Sequence, residues 1–93
     1  MEYRTITLAE LKAAHFPPHD VLSEDSLRIQ RDHDLRSAMA FTNMEHDEVA
    51  IIIELQDGER VQYLTDLLEF EDTLVELRGG YAIPVKSIYR VVI

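Results

Sequence analysis

The sequence predicts a mainly β member of the α+β class, with a five-stranded antiparallel barrel over residues 48–93 behind a helical and irregular segment over 1–47. Three observations carry this. The run Val49-Ala50-Ile51-Ile52-Ile53-Glu54-Leu55 is β-branched and almost wholly apolar, as a strand covered on both faces at its centre must be. Asp57-Gly58 follows it between two apolar runs, a strong hairpin signal. Gly79-Gly80 then supplies positive φ for a second tight turn. At 93 residues and 46% hydrophobic content, the chain suits one domain spanning 1–93.

The first element is a short helix from Leu8 to about His15. Thr7 and Glu10 have the spacing of a capping box, and Ile6 and Leu11 that of a hydrophobic staple. Pro17-Pro18 must end it, because proline lacks the donor and restricts the residue before it. Two turns are not stable alone, so Leu8, Leu11 and Ala14 are expected to dock on the barrel.

Residues 16–34 hold two prolines and many charges, with Val21, Leu22, Leu27 and Ile29 as anchors. They read as a loop, with at most a short strand at Leu27–Ile29. Asp32 or Asp34 then caps a helix in which Leu35, Ala38 and Met39 share a face. The alternation of Met39 and Phe41 also fits a strand; Ala38 and Ala40 favour helix, and Asn43 is a suitable stop.

From Val49 the period becomes that of strands. After the central strand and its hairpin, Arg60 begins a return strand with Val61 and Tyr63 alternating. Leu67–Phe70 either extends it around a bend or starts a third strand. Thr73–Leu77 is the next strand, with Leu74 and Val75 covered from both sides. Tyr81–Val85 returns, and Pro84 within it demands an edge or a bend. Lys86-Ser87-Ile88 makes a tight turn, and Tyr89–Ile93 closes the barrel.

The net charge is −9, and it is uneven. Residues 1–44 carry seven acidic and five basic side chains, which leaves −7 for residues 45–93. Such a field repels phosphate backbones, whose binding rests on lysine and arginine, so direct nucleic-acid binding is disfavoured. Acidic surfaces also simply keep small domains soluble. With no cysteine there is neither a disulfide framework nor a thiolate metal site. No apolar run spans a bilayer and no apolar segment follows Met1-Glu2-Tyr3-Arg4, which together suggest a soluble cytoplasmic protein.

The two glycine hairpins and the apolar-proline-turn-apolar ending resemble the small-barrel superfold shared by SH3-like and Sm-like domains. Within the β half, Glu54-Leu55-Gln56-Asp57-Gly58-Glu59, Asp66-Leu67, Val75-Glu76 and Ile88 look like the Rho-binding antiterminator family of bacteria. That resemblance implies a small acidic Sm-like protein whose carboxylates engage the RNA-binding domain of the Rho terminator. A barrel that binds RNA itself would need basic and aromatic groups, and here only Arg60, Arg78, Lys86 and Arg90 stand among many carboxylates.

No catalytic residue emerges. There is no Gly-x-Ser-x-Gly and no phosphate-binding glycine loop, since Gly58, Gly79 and Gly80 each serve a turn. His15 and His19 have a metal-binding spacing, but Pro17-Pro18 breaks the helix they would need. Asp32-His33-Asp34 and Glu45-His46-Asp47-Glu48 mix imidazole with carboxylate, as solvated loops also do, and neither has a calcium-loop pattern. No metal and no cofactor is assigned.

The candidate protein-binding residues are Asp66, Glu69, Phe70, Glu71 and Asp72, carboxylates around an aromatic that suit a basic protein partner with an apolar anchor. The competing reading puts Leu68 and Phe70 in the core with Glu69 and Glu71 facing water. The function expected is therefore a non-enzymatic interaction module with an acidic face. The alternative is a homo-oligomer pairing at Arg90-Val91-Val92-Ile93, a run with little charge to prevent it. A metal protein or enzyme is a more distant third.

Overall fold

The computed structural model describes residues 3–93, and Thr7 starts its first helix. Strand β1 (Arg4–Thr5) leads into α1 (Leu8–Ala13). Thr7 Oγ1 accepts from the Glu10 amide at 3.2 Å, and Glu10 Oε1 accepts from the Thr7 amide at 3.0 Å, so the capping box is present. The helix stops two residues earlier than expected, at an extended Ala14 ahead of the prolines. Leu11 is fully buried and Ile6 nearly so, both in the main core.

The greatest departure in the first half is α2 (Asp25–Glu45), one helix of 21 residues. The loop over 16–34 therefore ends at Glu24, and the strand at Leu27–Ile29 does not exist. Asp32 and Asp34 lie inside the helix, whose N-cap is Glu24 with no side-chain capping bond. The buried stripe explains why the pattern misled. It consists of Arg31, Leu35, Ala38 and Thr42, a helical spacing in which two of four members are polar. Leu27 and Ile29 point outward instead, 47% and 70% exposed. The helix runs past Asn43 to His46, which adopts the left-handed conformation (φ 57) and donates its amide to Thr42 O.

Strand β2 (Val49–Glu54) is the central strand expected, flanked by β3 (Arg60–Thr65) and β7 (Ile88–Val92). Gly58 takes φ 90 in the hairpin, and Asp57 Oδ1 accepts from the Glu59 amide at 2.9 Å. The register sets Ile53 opposite Val61 and Ile51 opposite Tyr63 on the core face. β1 adds a parallel pairing to β3, for which the two-residue stretch Arg4–Thr5 carries no strand pattern.

The closed five-stranded barrel is not formed. Among the described residues, seven strands lie in two separate sheets, β1-β3-β2-β7 and a second comprising β4 (Leu68–Glu71), β5 (Leu74–Leu77) and β6 (Ala82–Pro84). The SH3-like or Sm-like expectation is corrected accordingly. The chain crosses between sheets at two points, and each interrupts the ladder for a local reason. At the first, Thr65 Oγ1 accepts from the Leu67 amide, closing a turn between β3 and β4. At the second, Pro84 withholds a donor and Val85–Ser87 form a 3-10 turn before β7. Helix α2 packs on β4 and on β7, one strand from each sheet. Leu35 and Ala38 thus join Ile51, Ile53, Leu68 and Ile83 in one core.

Among the described residues, no helix is long and apolar enough to cross a membrane.

Candidate protein-binding face

The second sheet is a tight meander whose register decides what its outer face displays. A two-residue turn, Asp72-Thr73, joins β4 to β5, with Asp72 in the left-handed region (φ 53) that aspartate tolerates better than bulkier residues. Leu68 then opposes Leu77 and Phe70 opposes Val75, all turned to the core or packed against it. The alternate positions put Glu69 opposite Glu76 and Glu71 opposite Leu74. β6 continues the face, with Ala82 opposite Glu76 and Pro84 opposite Leu74.

The outer face therefore presents Glu69, Glu71 and Glu76, all exposed, around Leu74, which is 49% exposed. Glu69, Glu71, Leu74, Glu76 and Ala82 line a shallow depression of ≈ 270 Å³. Among the described residues, none of the three glutamates forms an ion pair, whereas Asp20, Glu54, Glu59 and Asp66 all do. Like charges directly opposite on a sheet destabilise it, so the Glu69–Glu76 pair is an arrangement that folding alone does not favour.

The five residues expected at the site are divided by this geometry. Glu69 and Glu71 lie on the shared face. Phe70 lies on the opposite side of the strand, half-buried, with the Arg36 guanidinium 5.2 Å from its ring centroid. Asp66 sits in the crossing between sheets and accepts from Arg78 Nε at 2.7 Å, a bond that holds its carboxyl below the usual aspartate range. Asp72 lines a different cleft. Glu76 and Leu74 join the face unanticipated. The signal was available: pairing β4 with β5 through a two-residue turn fixes which side chains are neighbours.

The cleft that Asp72 lines, ≈ 460 Å³, lies between α2, the Asp72-Thr73 turn and the 3-10 turn. Its strongest charges are already engaged. Arg31, nine-tenths buried, donates to Asp20 Oδ1 at 2.9 Å and Oδ2 at 2.7 Å, and to Ile88 O at 3.0 Å. Burial disfavours the Asp20 carboxylate, but the Arg31 guanidinium and the Leu22 amide outweigh this and hold its pKa below the usual value. Lys86 Nζ donates to Pro18 O at 2.9 Å. This cluster ties the 16–24 loop to α2 and β7, which is a structural task.

The histidine clusters are dispersed. His15 and His19 lie exposed in the loop after α1, and His33 lies exposed on α2. Among the described residues, no group of three or more side chains of metal-ligating type gathers. No family model, no curated protein and no solved structure matches the chain.

Proposed function

We propose that the protein is a non-catalytic interaction module of the cytoplasm that binds a basic protein partner through the outer face of the β4-β5-β6 sheet. One observation carries the reading: Glu69 and Glu76 are held opposite each other, with Glu71 beside them, and have no counter-charge among the described residues. A lysine- or arginine-bearing surface supplies that counter-charge. Leu74 gives the contact an apolar centre, the arrangement that concentrates binding energy while the charged rim sets orientation and on-rate.

The sheet's edges favour recognition by the face rather than by strand addition. Pro84 blunts β6, and α2 runs along β4, where the Phe70 amide donates to Met39 Sδ at 3.3 Å. A basic nucleic-acid-binding protein fits this chemistry, and the Rho-type terminator suggested by the resemblance is one such partner. The test is capture from lysate with wild-type protein and a Glu69→Gln/Glu71→Gln/Glu76→Gln variant, at low and high salt. A basic protein retained by wild type, lost at high salt and absent with the variant supports the proposal; equal capture by both contradicts it.

A further inference from the structure

Arg31 is nine-tenths buried on α2, and its hydrogen bonds use only part of its donor set. Both protons of Nη1 are engaged, by Asp20 Oδ1 at 2.9 Å and by Ile88 O at 3.0 Å. Nη2 gives one proton to Asp20 Oδ2 at 2.7 Å. Asp20 therefore holds the guanidinium end-on, across Nη1 and Nη2. The side-on edge, made by Nε–H and the second Nη2 proton, is left over, and Nε has no acceptor among the described residues. Two parallel donors at that edge match the two oxygens of a carboxylate. A buried donor without an acceptor is costly to a fold, so this edge calls for an acceptor from outside the chain.

The ≈ 460 Å³ cleft that Arg31 lines falls within the usual size of a small-molecule site, about 300–1,000 Å³. Its charged lining is Asp20, Asp32 and Asp72 against Arg31 and Lys86, which leaves one net negative charge. The three carboxylates differ in state. Asp20 is neutralised by Arg31, whereas Asp32 and Asp72 are exposed and have no ion pair among the described residues. A simple anion would suit the Arg31 edge but be repelled by Asp32 and Asp72. A simple cation would suit these two and leave the edge unmatched. A molecule that carries both signs satisfies both, and Pro84 and Val85 supply apolar lining for a methylene stem.

The geometry points to a site for a free basic amino acid, with its carboxylate on the Nε–Nη2 edge of Arg31 and its two cationic groups toward Asp32 and Asp72. Such a ligand carries one net positive charge and so offsets the lining. The site uses none of Glu69, Glu71 and Glu76, and it stands or falls separately from the outer face of the β4-β5-β6 sheet.

NMR of isotope-labelled protein tests it, with L-lysine added to about 10 mM so that a millimolar affinity can be read. The expected result is a saturable shift of the Arg31 Nε–H signal and of the Thr73 and Val85 amides. Cadaverine is the comparison, because it keeps both cations and lacks the carboxylate. Net charge alone ranks it above lysine; the Arg31 edge ranks it below, by at least about fivefold. Asp72→Asn is also expected to weaken lysine binding about fivefold, and asparagine tolerates the left-handed backbone at this position (φ 53). Asp47→Asn, exposed and outside the cleft, should leave it unchanged. No shift with lysine overturns the proposal, and so does cadaverine binding as tightly as lysine, which would reduce the cleft to an acidic patch. Inorganic phosphate moving the Nε–H signal as strongly as lysine overturns it as well, since the edge would then take anions in general.

Discussion

Glu69 and Glu76 face each other across the β4–β5 ladder, both exposed and both without an ion-pair partner among the described residues. A directly opposed pair of like charges lowers sheet stability, and an opposite pair raises it. Glu76→Lys is therefore expected to raise the melting temperature by roughly 2–4 °C at low salt while weakening capture of a basic partner. A variant that is both more stable and less able to bind marks a residue kept for contact. Scanning calorimetry beside the capture assay reads both effects, and a lower melting temperature would remove the argument from like charge.

Asp20 is the buried cluster's central residue, because it neutralises Arg31 at the point where the loop, α2 and β7 meet. Asp20→Ala leaves the buried guanidinium uncompensated and is expected to cost about 3 kcal/mol. Asp32→Ala, exposed on the same helix and in no ion pair among the described residues, should change stability little. Urea unfolding separates the two.

The same pair sets an acid dependence. The folded-state pKa of Asp20 lies below its unfolded value, so its contribution is complete above about pH 4, the unfolded aspartate range. It is lost as pH falls through the lower folded value. Asp20→Asn should thus be less stable than wild type at pH 6, with the gap narrowing toward pH 2. Urea midpoints measured across that range check the trend, and parallel curves would contradict it.

Thr7→Ala removes the acceptor for the Glu10 amide and opens the capping box. The expected cost is about 1 kcal/mol, read by chemical denaturation. Thr7→Asp, which restores an acceptor, should recover most of it.

The parts of the fold legible in the sequence are those governed by local chemistry. Thr7 with Glu10, the apolar run of β2, the Asp57-Gly58 turn and the edge position of Pro84 each state their structure within a few residues. Helix α2 was not legible over its first half, because Arg31 and Thr42 occupy buried positions where apolar residues are expected. The burial of Arg31 depends on Asp20, 11 residues away, and on the Ile88 carbonyl, 57 residues away. Barrel closure failed as an expectation for a different reason. Strand number can be read from periodicity, but the ladder is broken by the Thr65 side-chain turn and by Pro84 with the 3-10 turn after it, neither of which changes the alternation that marks the strands. At the candidate site, Glu69 and Glu71 were visible as charge next to apolar residues, whereas Glu76 and Leu74 needed the β4–β5 register.

The central claim, that these three glutamates form the binding face, is tested most directly with a fluorescent lysine-rich decapeptide, following anisotropy at low salt. Two triple variants of equal net charge are compared with wild type. One neutralises Glu69, Glu71 and Glu76; the other neutralises Asp32, Glu45 and Asp47, which are exposed elsewhere. The face variant is expected to bind at least tenfold more weakly, and the control to stay within about twofold of wild type. Equal loss in both variants would mean that net charge alone attracts the peptide, and would contradict the assignment of the face.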